Sequence, residues 1–154
     1  MHFEGSVTIN APRETVWRFL TDPDGVSQCV PGLESIETVA PGERFRTVAS
    51  AGFGTVRARF TMDIEWTELQ APERARMKMH GTAPGSAVDA TSEMVLTGGA
   101  RGATDLRWSA DVTVVGTIAS LAARLMGGVT QKLTGAFFDC VRSRIEGAET
   151  GARV

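Results

Sequence analysis

Residues 56–66 alternate without a break. Val56, Ala58, Phe60, Met62, Ile64 and Trp66 are apolar or small, whereas Arg57, Arg59, Thr61, Asp63 and Glu65 are polar. A period of two over that length is a strand with one face in a core and one in water. Gln70-Ala71-Pro72-Glu73 interrupts the run, after which the parity flips. Ala75, Met77, Met79 and Gly81 turn inward, and Arg74, Arg76, Lys78 and His80 turn outward. The two runs form a hairpin. A loop at 69–72 sets Glu65 opposite Arg76 and Asp63 opposite Lys78 on the wet face, with Ile64 meeting Met77 and Met62 meeting Met79 inside. Opposite charges facing across a ladder contribute about 0.2–1 kcal/mol each. The basic residues are then half neutralised by their neighbours and do not form a nucleic-acid patch.

The same alternation marks further strands near residues 3–9, 33–39, 44–51, 87–97 and 103–115, giving seven in all. Two regions break it. Pro12 opens a helix carrying Glu14 near its positive end and Val16, Trp17 and Leu20 on one face, and Asp22-Pro23 closes it. A short second helix fits before Cys29-Val30-Pro31-Gly32. From about 117 to 146, Leu121, Leu125, Val129, Leu133, Phe137, Val141 and Ile145 recur at four-residue steps, as on the buried stripe of a long helix. A one-faced sheet and one long helix must bury their apolar sides in each other. The expected fold is therefore α+β: a seven-stranded curved antiparallel sheet around a long C-terminal helix, with two short helices after strand 1. Residues 1–147 form the single domain and 148–154 a frayed tail.

Composition narrows the function. The 154 residues are 42% hydrophobic and 22% charged, an ordinary globular balance, and the net charge of −2 offers no field for nucleic acid. Cys29 and Cys140 lie far apart without metal-type spacing, so reduced thiols, no zinc site and a cytoplasmic setting are expected. The N-terminus has no basic segment followed by an apolar one, and no apolar run is long enough to cross a bilayer.

A catalytic site needs a titratable group within reach of the substrate. The inward strand positions contain none; their polar members are Thr47 and Ser92. An enzyme would have to recruit Asp89 after a register slip, or Arg124 from the helix. His80 falls on the outer face and His2 at the terminus, a poor metal pair. Cys29 beside a turn reads as a packed structural cysteine or a reactive thiol. Small residues are more suggestive: Ala49, Ala51, Ala58, Ala75, Gly81, Ala90, Ser92 and Ala110 point inward, opposite a helix bearing Ala119, Ala122, Ala123, Gly127 and Gly128. They let the two layers approach closely, or they leave a cleft between layers of the kind that holds small molecules. Gly127-Gly128 mark a kink or a close approach.

The segment APRETVWRFLTDPDGVSQCVPGLESIE, with its Asp-Pro and Cys-x-Pro-Gly elements, resembles the opening of the carbon monoxide dehydrogenase G-subunit family. GFGTVRARF resembles that family's glycine-led fourth strand, and IASLAARLMGGVTQKLTGAFFDCV is similar to its last helix, with Arg124-Leu125 and Phe137-Phe138 in place. The family belongs to the helix-grip superfamily of START and Bet v 1-like proteins, which includes polyketide cyclase-type enzymes. The resemblance implies a non-enzymatic accessory protein that carries a lipid or quinone-like molecule and assists a molybdenum-containing hydroxylase. It implies no cofactor and no metal. Some relatives carry a C-terminal anchoring tail; with the chain ending at Val154, membrane contact is expected to be peripheral at most. Strand direction brings Val30, Phe53, Val88, Leu121 and Leu125 to the rim of the expected ligand site, and Val56, Phe60, Met77 and Met79 to its wall. A small polyketide cyclase or hydratase-like enzyme and a filled interaction module are the alternatives.

Overall fold

A computed structural model describes residues 1–53 and 55–151; the side chains of Ala51, Phe53, Val56 and residues 148–151 lie outside the described set. In chain order the elements are β1 (His2–Ile9), α1 (Arg13–Thr21), α2 (Pro23–Val26), a 3-10 turn (Ser27–Cys29), β2 (Leu33–Ala40), β3 (Arg44–Phe53), β4 (Val56–Gln70), β5 (Arg74–Ala83), β6 (Ser86–Gly98), β7 (Thr104–Gly116) and α3 (Ala119–Gly151). The strands form one antiparallel sheet in the order β1-β7-β6-β5-β4-β3-β2. This is the expected helix-grip architecture. β2 to β7 are a simple meander, and β1 joins the far side of β7. The chain must therefore cross from one sheet edge to the other between β1 and β2, and α1 and α2 make that crossing.

Local chemistry explains the crossing. Pro12 precedes the first helical residue in extended conformation, and Asp22 ends α1 and caps α2 by accepting from the Asp24 backbone N–H. Pro23 follows at the first helical position, where its missing N–H costs nothing. Gly32 has φ 78°, and a Cβ there would collide with the Ser50 carbonyl. The Ser50 N–H in turn donates to the Gly32 carbonyl at 2.9 Å, holding the segment after α2 against β3.

The main core lies at one end of the grip. Ile9, Val16, Leu96, Leu106, Val141 and Ile145 are all at most 3% exposed there, joining β1, α1, the sheet and the last turns of α3. Its fully buried hydroxyl, on Thr104, donates to the Ala11 carbonyl at 2.7 Å and so leaves no polar group unpaired.

Two expectations fail. Cys29 and Cys140 are joined in a disulfide, with 5.4 Å between their Cα atoms, tying the 3-10 turn to α3 across 111 residues of sequence. Spacing along the chain concealed this, because the crossing segment returns to the helix only in the fold. By chain entropy a crosslink over such a span contributes about 4–5 kcal/mol. The cytoplasmic expectation loses the support it took from reduced thiols.

The β4–β5 register also differs. Asp63 lies opposite His80, Ile64 opposite Met79, Glu65 opposite Lys78 and Trp66 opposite Met77. A bulge between Trp66 and Glu68 then shifts the ladder, so that Glu68 meets Arg76 and Gln70 meets Arg74. The inner parity holds, but the strands pair up to Gln70 and Arg74 rather than stopping at a 69–72 loop, and the bulge absorbs the odd residue, so the register is displaced. The outer charges find other partners: Arg46 Nε reaches Asp63 at 3.1 Å, and Arg76 Nε reaches Glu93 at 2.7 Å and Glu68 at 3.2 Å. Two of the basic positions on this strand, Arg76 and His80, thus pair with acids, though not the ones expected.

Candidate functional site: an apolar cavity under the long helix

In a filled core, inward residues of a strand are buried and outward ones exposed. Along the middle of β4 the inward row Met62, Ile64 and Trp66 is only half-buried, and so are Met77 and Met79 on β5. These side chains face a cavity of about 460 Å³ between the sheet and the middle of α3. That volume lies within the usual range for small-molecule sites.

The walls follow from the alternation. Four of the six methionines line the space, Met62, Met77, Met79 and Met94, as do the rings of Phe45, Trp66 and Trp108. Unbranched thioethers adapt to a guest without a fixed shape. Ala49, Ala75 and Ala110 set the floor back, and α3 contributes the short Thr130 and Thr134 beside Phe137 and Phe138. Those two rings meet edge to face with centroids 5.1 Å apart. Leu20, Val26 and Val30 come from the crossing segment, and Val30 remains 39% exposed, an apolar residue left open at the mouth.

The polar inventory is short. Thr47 and Ser92 lie on the lining, as their inward parity requires. Glu93 is the ionisable residue on the described lining, but it sits opposite Arg76 in the outward row and accepts from that guanidinium. Asp89, the candidate base after a register slip, pairs with His80 at 2.6 Å on the outer face, and Arg124 is exposed on α3. Among the described residues no cluster of His, Cys, Asp or Glu is arranged to hold a metal.

Of the residues expected at the ligand site, Val30, Met77 and Met79 line this cavity. Phe60, Val88, Leu121 and Leu125 do not. They pack in a second cluster around Phe60, 7% exposed, and the fully buried Ala122, which plugs the end of the grip where α3 begins. The side chains of Phe53 and Val56 lie outside the described residues. The rim expected from strand direction lies at the Phe60 end of α3, and the cavity lies further along the helix. Trp66, Trp108, Met62 and Phe45 were missed as lining, although the same alternation turns them inward. Gly127 and Gly128 are not explained by close approach, since an added Cβ at either meets nothing within 4 Å.

No helix among the described residues is long and apolar enough to cross a membrane. No curated protein matches the sequence. Among solved structures, a conserved protein from Geobacillus kaustophilus superposes with a TM-score of 0.88 at 25% identity, covering 96% of this chain and 97% of that one. The Zhui aromatase/cyclase from a Streptomyces species gives 0.73 at 18% identity over 95% and 93%, and a Thermus thermophilus protein gives 0.67 at 20% over 96% and 99%. At such identities the last two speak for the fold alone. Residues 5–146 match the model of the carbon monoxide dehydrogenase G-subunit (CoxG) family. The chain belongs to that family.

Proposed function

We propose that this protein is a non-enzymatic accessory protein that holds a hydrophobic small molecule, lipid or quinone-like, between its sheet and α3. On this reading it serves a molybdenum-containing enzyme of the carbon monoxide dehydrogenase type. The family's name supports the second part. The first part rests on one observation: a cavity of about 460 Å³ whose inward-facing side chains are alkyl, thioether, aromatic or hydroxyl. Such a lining can desolvate an apolar guest, but it has no group to move a proton. Val30, Met77 and Met79 would contact the ligand, with Met62, Trp66 and Trp108. The Phe60 cluster, including Val88, Leu121 and Leu125, would close the inner end.

Titrating the protein with diphenylhexatriene, a hydrocarbon whose fluorescence rises on leaving water, tests the binding reading. Saturable binding, with lipid-like molecules recovered from protein purified out of its own host, is the expected result. A chain that binds no hydrocarbon, or that turns over a polyketide or enoyl substrate, overturns it.

A further inference from the structure

A second hollow of about 680 Å³ runs along the outside of the grip, between β1, an edge strand, and α3. It adjoins the apolar cavity, with Phe3, Trp108, Thr130, Thr134 and Phe138 lining both. Its chemistry is different. Where the cavity is greasy, the groove adds His2, Glu4, Gln131, Asp139 and Arg142.

The cations in the groove are already taken. His2 bonds Asp111 at 2.8 Å and Glu4 at 3.2 Å, and Arg142 reaches Asp139 at 3.1 Å. A carboxylate or phosphate head would have to compete with Asp139 for Arg142, and an ammonium would have to compete with His2 and Arg142 for the acids. What the junction offers instead is neutral dipoles. The Trp108 indole lies against Gly5, so closely that a Cβ there would fall 2.8 Å from Nε1. Gly5 lines the groove and not the cavity, which places the N–H at the boundary between them. That N–H bonds no group among the described residues and is open to water, which a ligand oxygen would replace; an indole nitrogen can only donate. Gln131 lines the same groove, and the Thr134 hydroxyl, which donates to the Thr130 carbonyl at 2.8 Å, keeps its acceptor capacity.

We infer that the groove is a head-group subsite for an uncharged, oxygen-bearing amphiphile, with its apolar body in the cavity and its oxygen accepting from Trp108 Nε1–H. This rests on the cavity being a ligand site and adds which class of ligand enters it and which way round. The specificity lies at the junction: a pure hydrocarbon offers the donor no acceptor, and an anionic head has no free cation.

Two probes separate the subsite from the cavity. Diphenylhexatriene has no acceptor, and 6-propionyl-2-dimethylaminonaphthalene carries a neutral ketone. In Trp108→Phe, which keeps an aromatic ring and removes the donor, ketone affinity should fall about fivefold relative to hydrocarbon affinity. Gln131→Ala, on the exposed side of the helix, should lower the same ratio by about twofold and keeps the test open if the tryptophan variant does not fold. Competition completes it: 2-heptadecanone should displace diphenylhexatriene from the parent protein better than hexadecanoate does. An unchanged ratio in both variants, or preference for the fatty acid, overturns the subsite while leaving the cavity reading intact. Failure of the parent to bind the hydrocarbon overturns both.

Discussion

One helix crosses one sheet, yet its first turns and its middle meet opposite conditions. Near its start, fully buried Ala122 sits in the cluster built on Phe60, with Leu121, Leu125 and Met126 packed around them. Midway, Thr130 and Thr134 stand over Ala75, Ala110, Ser92 and flexible methionines, and the space stays open. Near the end, Val141 and Ile145 return to a closed core, with the Cys29–Cys140 disulfide beside them. The helix is clamped at both ends and spans a hollow. At the start of the helix the Phe60 ring packs with Ala122, whereas at its middle the rings of Trp66 and Trp108 and the methionine side chains border the space beneath Thr130 and Thr134 without closing it. Packing size, rather than any change of secondary structure, makes the site.

The comparison breaks most readily at Phe60. Phe60→Ala should cost about 3–5 kcal/mol, as a buried ring lost from a filled cluster does, and Met79→Ala less than about 2, because its side chain already borders open space. Denaturant unfolding of both variants measures the gap; equal losses would mean that the middle is as dense as the end.

Tryptophan insertion gives a smaller effect of opposite kind at the two places. Ala58 packs on the filled cluster, so Ala58→Trp should cost about 1–3 kcal/mol by overpacking. Ala110 lines the cavity, so Ala110→Trp should leave the melting temperature near its parent value and abolish diphenylhexatriene binding. A melting temperature that falls as far in Ala110→Trp as in Ala58→Trp would count against the cavity.

The smallest effect concerns the groove edge. Hydrogen bonds to Asp111, then to Glu4, raise the pKa of His2 above its ordinary value. The protonated imidazole holds β1 to β7, so its contribution is complete below the unfolded-state pKa and is lost as pH rises through the folded-state value. Amide exchange in β1 should speed up slightly across that interval, and an imidazole titration by NMR should show the upward shift. Exchange that slows as His2 deprotonates contradicts the assignment.

How much was legible follows from range. Alternation at residues 56–66 and 75–81 and the four-residue stripe on α3 are local signals, read directly from Val56, Phe60, Met77 or Leu121, and they determined the sheet, its inner face and the helix-grip fold. The quoted segments carried the family. Parity alone also turns Asp89 and His80 outward, where they pair with each other. Three things needed the third dimension. The bulge at residues 66–68 shifts the ladder by an insertion that no alternation announces, Cys29 meets Cys140 only because the crossing segment returns to the helix, and the hollow opens beside Thr130, whereas Leu121 packs with Phe60. Local periodicity decides which way a side chain points. Whether it meets a neighbour or a void depends on the sizes of residues far apart in sequence, and only the packed structure sets those against one another.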